Sequence, residues 1–543
     1  MRLSRRDFLK TLGLGAAAAG LTGSSPYRAE ASETCSSDEP CFIPTDPAQM
    51  NSLFAGLETC CINHPLDEGE MRITFLGTSC TPMLAQQGVS VYVEVGPTHP
   101  ETDSFGFVYN VPADYAMFDC GMGVLANYIA AGIPYDRMDK IFIAHLHADH
   151  MSELSAIYCF GESATRKTPL YVWGPSKSGV PDPYTGKIYE DGTKATLEHF
   201  REVWRWHTES FSFTSNGYEE YYAKLATLKE DWGLPCDPVP VGPAYRENGK
   251  GEPIGGHYAD PPNDAYALIP IELDWTKRGE VEDDNVAYWN KGTGVKVTHF
   301  PAIHCRKGSI AYKLEFTPHD RDGNLIEGAK TLSMIYSGDT KPNLTMVDQA
   351  SNEEKGIDLW IHEIVMPPDA WTAKFGHVDK EAVIGNPNLP YFTDVQNSSH
   401  TTQGAFGYLL SQINPRPRLT VATHFQATDD TIESARQSLD AYCIPRDWYT
   451  FALDFMVFNV TQDTITQRRL DVSRHEYPYG IPVRGSFDDP KYNKPDPDDP
   501  TKVIGDPEKQ LDKTGAIEPG PATYDMGGYW PGTYDPDNPP ICT

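Results

Sequence analysis

Three histidines and one aspartate lie within six residues of this chain, directly after a short apolar run. The segment is IFIAHLHADH, residues 141–150. Residues two apart on an extended chain face the same side, so His145 and His147 point together, and Asp149 and His150 follow as the chain turns into a helix. This arrangement suits two adjacent cations better than one. Imidazole and carboxylate ligands favour zinc, with manganese and iron as alternatives.

Four residues cannot complete two coordination shells, so later strands should supply further ligands. His304 closes the apolar run THFPAIH, Asp339 closes IYSGD, and His424 closes VATHF. Each residue is a ligand type at the end of a strand, where loops gather around a site. Asp339 could bridge the two ions because a carboxylate has two oxygens to share.

Strand-like and helix-like segments alternate along the chain from residue 71. This mixture predicts a layered α/β protein with mostly antiparallel strands. Residues 176–290 differ, since they combine helical pieces, Pro/Gly-rich loops and five tryptophans. We interpret this range as a large insertion that covers the site.

Several motifs occur in the order found in the metallo-β-lactamase fold, and they are most similar to its ribonuclease Z branch, which includes related phosphodiesterases and arylsulfatases. The motifs are ITFLGTSCTP, MFDCGMG, HLHADH, VTHFPAIH, YSGDTKPN, DLWIHEIV, SSHTTQGA and VATHF. The resemblance covers about residues 71–460. It implies a four-layer αββα sandwich of the α/β class, with a catalytic domain over 71–475 that contains the insertion.

The resemblance also implies two metal shells and a set of catalytic residues. One shell is His145, His147, His304 and Asp339, and the other is Asp149, His150, His424 and Asp339. Two Zn²⁺ ions would hold a bridging hydroxide that attacks the substrate, with Asp149 in the catalytic set. His400 matches the candidate general acid and Glu363 would orient it. Alternatively, His400 lies in a helix-capping segment and Glu363 is structural.

Other features separate the chain from a tRNA-processing enzyme. Only 34 residues lie between His304 and Asp339, which leaves no room for a tRNA-gripping arm there. The formal net charge of −31 opposes binding to phosphate backbones. We therefore expect no nucleic-acid partner, and a small-molecule ester, either a phosphodiester or an aryl sulfate, as substrate. A lactone or amide hydrolase, an iron-dependent oxidoreductase and a non-catalytic binding protein are the alternatives.

The first residues predict export. The segment SRRDFLK precedes an Ala/Gly-rich apolar run and a small-x-small cleavage site, which is typical of a twin-arginine signal peptide over residues 1–31. The Tat export machinery is then a partner, the location is periplasmic or secreted, and no stable membrane anchor is expected. Residues 32–70 resemble an arm and 476–543 a Pro/Asp/Gly-rich tail. Disulfides are expected among Cys35, Cys41, Cys60 and Cys61, with their pairing and the oligomeric state left open.

Overall fold

We describe the protein from a computed structural model. The described residues are 59–60, 64–81, 86–102, 108–161, 166, 168–204, 227–241, 267–305, 307–351, 356–379, 382–427, 431–470 and 472. The predicted signal peptide, most of the predicted arm and the predicted tail lie outside them. So do the side chains of Cys35, Cys41, Cys60 and Cys61.

Strands account for most of the described core. They are Thr59–Cys60 (β1), Met71–Gly77 (β2), Ser90–Val95 (β3), His99–Thr102 (β4), Val108–Val111 (β5), Asp114–Phe118 (β6), Lys140–Phe142 (β7), Leu170–Pro175 (β8), Leu268–Leu273 (β9), Val286–Asn290 (β10), Val295–Pro301 (β11), Ile310–Phe316 (β12), Leu332–Tyr336 (β13), Leu359–Glu363 (β14), Leu419–Thr423 (β15), Tyr449–Phe451 (β16), Met456–Val460 (β17) and Ile465–Leu470 (β18).

Helices connect these strands. They are Val124–Ala131 (α1), Ala148–Met151 (α2), Leu154–Gly161 (α3), Thr193–Trp204 (α4), Leu344–Ser351 (α5), Pro368–Gly376 (α6), Leu389–Ser399 (α7), Gln403–Gln412 (α8) and Thr431–Ala441 (α9), with short 3-10 turns at Tyr135–Arg137 and Arg446–Trp448. In the part of the chain that the structure describes, no helix combines the length and the apolar character needed to cross a membrane.

The strands form two large mixed sheets and one small hairpin. The first sheet has the order β1-β18-β17-β2-β3-β6-β7-β8-β9, the second has the order β10-β11-β12-β13-β14-β15-β16, and β4 pairs with β5. The expectation of mostly antiparallel strands holds by a small margin, since eight of the fifteen pairings between described strands are antiparallel, whereas β6 to β9 and β13 to β16 run parallel. Parallel neighbours need crossover connections, and α1, α3, α5, α8 and α9 lie in those connections.

The two sheets pack face to face. Alternate residues of β2, namely Met71, Ile73 and Phe75, are buried in one core cluster with residues of the second sheet. Aromatic rings also meet across the interface, since Phe118 lies 5.6 Å from Tyr312 between ring centroids. This alternation gives the first sheet one face toward the second sheet and one face toward its own helices.

Helices cover the outer face of each sheet. Leu154 and Ile157 of α3 are buried with Ile141 and Val172 of the first sheet. On the other side Phe406 of α8 is buried in the cluster that contains the second sheet. The predicted four-layer αββα sandwich, the metallo-β-lactamase fold, is therefore confirmed.

The predicted insertion contains two strands of the sandwich. β9 pairs with β8 at the edge of the first sheet, and β10 pairs with β11 at the edge of the second. Trp232 packs in the core, with its ring centroid 5.5 Å from that of Tyr288. The described part of residues 176–290 thus completes the sheets at their edges as well as adding loops.

Candidate metal centre

The seven predicted ligands meet at one edge of the sandwich. His145 and His147 follow β7, while Asp149 and His150 lie in α2. The second sheet supplies the others, which follow its strands: His304 follows β11, Asp339 follows β13 and His424 follows β15. Because the carboxyl ends of these strands point to the same edge, residues far apart in sequence lie side by side.

The first donor group consists of His145, His147 and His304. One ring nitrogen from each lies within 4.8 Å of the others. The Nδ1 atom of His147 is 3.2 Å from Nε2 of His304. Burial lowers the pKa of all three imidazoles, and that of His145 falls well below its usual range. Neutral imidazole is the form that binds metals.

The second donor group consists of Asp149, His150, Asp339 and His424, whose donor atoms also lie within 4.8 Å of one another. Burial by itself lowers the pKa of His150 and His424, but Asp339 and the other neighbouring carboxylates together outweigh that effect and raise both pKa values well above the usual value. A negative field strong enough to hold protons on two buried imidazoles also favours a divalent cation.

Asp339 lies between the two donor groups. Its Oδ2 atom is 3.7 Å from Nε2 of His304 and 3.8 Å from Nε2 of His145. Its Oδ1 atom is 3.1 Å from Nε2 of His150 and 3.2 Å from Nε2 of His424. Each carboxylate oxygen therefore faces one donor group, which is the arrangement that a shared ligand requires.

Outer hydrogen bonds orient the ligand rings. Nδ1 of His150 donates to Oδ2 of Asp119 over 2.6 Å, and Nδ1 of His304 donates to the carbonyl of Ser399 over 2.7 Å. Asp119 is buried, has a positive φ of 58°, and also accepts hydrogen bonds from the Ala144 amide and the Tyr336 hydroxyl. Such partners fix the tautomer, so that Nε2 of each ring faces the centre.

His400 and Glu363 form a pair at the margin of the centre. Nδ1 of His400 lies 3.0 Å from Oε2 and 3.1 Å from Oε1 of Glu363. Burial lowers the pKa of His400, but the charge and hydrogen bond of Glu363 together with the charge of Asp339 outweigh that effect, so the net pKa is raised. The Glu363 carboxylate also accepts a hydrogen bond from the Thr340 amide. Its Oε2 atom lies 3.5 Å from Nδ1 of His424. The predicted orienting contact is present, and the contact with His424 was not predicted.

The residues present fit a metal pair. His145 is buried, and among the described residues neither of its ring nitrogens has a hydrogen-bond partner. A buried polar atom without a partner is costly, so it points to a ligand that completes it. The donor set of five imidazoles and two carboxylates matches the preferences of zinc and similar divalent ions.

Sequence reasoning missed Cys305. Its Sγ atom lies 3.4 Å from Nε2 of His147, and the thiol is exposed. Its position directly after the ligand His304 is a signal that could have identified it.

Several known proteins are similar to this chain. No protein-family model matches it. Ribonuclease Z from Brevibacillus brevis is 30% identical over 319 residues, which cover 57% of this chain and 76% of that protein. Ribonuclease BN from Cronobacter sakazakii is 32% identical over 105 residues, or 19% of this chain, and the match spans only 31% of that relative's length.

A solved structure is also similar. The metallo-β-lactamase fold protein YhfI from Bacillus subtilis has a TM-score of 0.36 and 11% sequence identity, covering 72% of this chain and 100% of that one.

The expectation that nucleic acid is excluded as a partner is wrong. The relatives are ribonucleases, which their names describe as enzymes that act on RNA. The net charge misled the prediction because it sums over the whole chain, whereas phosphate recognition depends on the local field, including that of cations held in a site.

Proposed function

Because the chain belongs to the ribonuclease Z family, we propose that it is a hydrolase that cleaves phosphodiester bonds at a centre holding two divalent cations, zinc in the first instance. The observation that carries this proposal is the position of Asp339, with one oxygen toward each donor group. In a site for a single metal ion, one of these two oxygens would have no cation to bind.

The ligands divide between the two cations as the donor groups do. The first cation would be held by the first donor group and Oδ2 of Asp339, and the second by the remaining members of the second donor group and Oδ1. When bound, such a pair of cations supplies Lewis-acid activation of water and stabilises negative charge on the transferred group. Asp149 is the more accessible carboxylate, with 20% side-chain exposure against 2% for Asp339, and would orient a water molecule.

His400 is the residue that delivers a proton to the leaving group. Nδ1 of His400 is hydrogen-bonded to the Glu363 carboxylate, so the Nε2 proton of the imidazolium is available to a bound substrate. The side chain is 18% exposed, whereas that of Glu363 is 1% exposed. His400 can thus reach the substrate, while Glu363 holds the ring and favours its charged form.

The relatives support a phosphodiester over a sulfate ester. RNA is a substrate to test because the relatives are ribonucleases, and a small phosphodiester tests the same chemistry without a demand for RNA binding. Export to the periplasm remains a prediction from residues 1–31. Such export would place the substrate outside the cytoplasm and would not change the chemistry.

The proposal is tested by metal content and turnover on one preparation. Full-length protein loaded with zinc is assayed on bis-nitrophenyl phosphate, an RNA oligonucleotide, nitrophenyl sulfate and a lactone. We expect two zinc ions per chain and turnover of at least one phosphodiester, abolished in His150→Ala and retained in the control Asp322→Asn, which alters an exposed residue. Two bound zinc ions with turnover only of the sulfate or the lactone would overturn the phosphodiester assignment. A redox-active iron centre would replace it with an oxidoreductase.

A further inference from the structure

His147 differs from the other histidine ligands in its surroundings. It is the exposed member of the first donor group, whereas His145 and His304 are buried. Its Nδ1 atom is turned inward, 3.2 Å from Nε2 of His304. Its Nε2 atom is therefore turned outward, and it lies 3.4 Å from Sγ of Cys305.

The other rings show what such an outward nitrogen needs. Nδ1 of His150 has the Asp119 carboxylate and Nδ1 of His304 has the Ser399 carbonyl. In both cases an oxygen acceptor holds the proton on the outward nitrogen, which leaves the inward nitrogen with its lone pair free. His147 has a sulfur atom in the equivalent position.

We propose that Cys305 is a positioning residue for the first metal: its sulfur accepts the Nε2 proton of His147 and so keeps Nδ1 available as the ligand atom. This inference rests on the proposed two-metal function. It assigns Cys305 to the surroundings of the ligands, because Sγ lies on the far side of the His147 ring from the inward nitrogen.

A second observation points to a bound ion beside His147. The His145 ring is 4% exposed, and in the described chain neither of its nitrogens has a hydrogen-bond partner. Its centroid lies 4.5 Å from that of His147. A buried ring whose nitrogens lack hydrogen-bond partners is stabilised by a metal ion beside it. The coordination shell of that ion is complete only if His147 presents Nδ1 to it.

The inference is tested by metal affinity in Cys305→Ala and Cys305→Ser. Loss of an outer partner of a ligand typically lowers metal affinity about 10- to 100-fold. We expect chelator competition to show that loss for one of the two zinc ions in Cys305→Ala, with the other ion unchanged. Serine offers an oxygen acceptor and should restore part of the affinity. Cys443→Ser, which alters another exposed cysteine, is the matched control.

Cobalt substitution separates a positioning role from direct ligation. Wild-type protein loaded with Co²⁺ should show no sulfur-to-cobalt charge-transfer band, because Cys305 acts through His147. A band that disappears in Cys305→Ser would make the thiolate a ligand and overturn the inference. Unchanged affinity for both ions in Cys305→Ala would also overturn it, without touching the proposed function. Failure of the wild type to bind two ions would instead reject the proposed function.

Discussion

At the scale of single residues, Asp339 has the widest influence on the centre. Its two oxygens face different donor groups, so one substitution alters both coordination shells. Removing this carboxylate also takes away the nearer of the two carboxylates, Asp339 and Asp149, that face the Nε2 atoms of His150 and His424.

We expect Asp339→Ala to lose at least one of the two metals and to lower kcat by at least about 100-fold, because the methyl group of alanine supplies no ligand atom to either metal. Elemental analysis of the purified variant and turnover of bis-nitrophenyl phosphate measure the two effects. Retention of two zinc ions would contradict the shared role of Asp339.

His400 should control the dependence of rate on the leaving group. His400→Ala is expected to slow esters with poor leaving groups about 100- to 10,000-fold, the usual range for a general acid, and to slow activated nitrophenyl esters much less. Rates over a series of phosphodiesters with leaving groups of rising pKa give the comparison. Glu363→Gln should show the same trend in weaker form. An equal loss on every ester would remove His400 from the proton-donor role.

At the scale of elements, a buried hydrogen-bond network joins three loops beside the centre. The carboxylate of Asp454, between β16 and β17, accepts hydrogen bonds from the Thr78 hydroxyl and the Gln87 amide. Both donors lie in the segment after β2. That segment reaches the loop after β15, where Nε2 of Gln86 donates to the Phe425 carbonyl. The network thus supports the loop that carries His424.

Asp454 should make stability depend on pH. Burial raises its pKa from 3.8 to about 7, even though hydrogen bonds from Thr78 and Gln87 lower it. The folded chain then holds this proton more tightly than the unfolded chain, so the contribution is complete below pH 4 and is lost as pH rises toward 7. The change amounts to about 4 kcal/mol at most.

Asp454→Asn tests this dependence, since the amide resembles the protonated acid. Between pH 4 and 8 the free energy of unfolding of the variant should rise relative to wild type, as followed by urea denaturation. Asp463→Asn, at an exposed turn, should leave the difference flat. A parallel pair of curves for wild type and Asp454→Asn would show that Asp454 titrates normally.

The sequence predicted the helices and strands well where local sequence pattern determines their ends. It predicted them less well where contacts with residues distant in sequence determine those ends. Gly132 ends α1 with a positive φ of 79°, as its position after an apolar helix predicts. The strand before the metal motif was expected to run on toward His145 but ends at Phe142, because the Ala144 amide donates to the Asp119 carboxylate. β9 lies within the range predicted as an insertion, so it was not predicted as a strand of the sandwich. It contains Pro270, which strands tolerate at a sheet edge, where β9 lies.

The same division applies to the site. All seven predicted ligands meet, because each stands at the end of an apolar strand and the fold gathers strand ends. Cys305, and the contact of Glu363 with His424, depend on how loops from both sheets approach each other, which no local pattern contains. The exclusion of nucleic acid as a partner failed because the net charge was taken over the whole chain.

At the scale of the whole molecule, the ligands come from both sheets. The motif that follows β7 belongs to the first sheet, whereas His304, Asp339 and His424 follow strands of the second. Bound cations would therefore link the sheets and stabilise the folded chain against unfolding.

Removing the metal should lower the thermal stability of the protein. With free zinc at 1,000 times its Kd, binding to the native state alone adds about 4 kcal/mol. A chelator should therefore reduce Tm by several degrees, and added zinc should restore it, as followed by calorimetry. The variant His424→Ala should respond less. A Tm that is independent of zinc would show that the sheets hold together without it.

The path of the chain through the first sheet has one further consequence. β2 and β17 are antiparallel neighbours, and Met71 is paired with Val460. β2 and β18 thus lie on either side of β17, with Met71 at the Val460 end of that strand and Leu470 at its Met456 end. A gene rearranged so that a linker long enough to run the length of β17 joins β18 to β2, with new ends opened in the exposed turn at residues 183–187, should encode a circular permutant in which the seven ligands still meet.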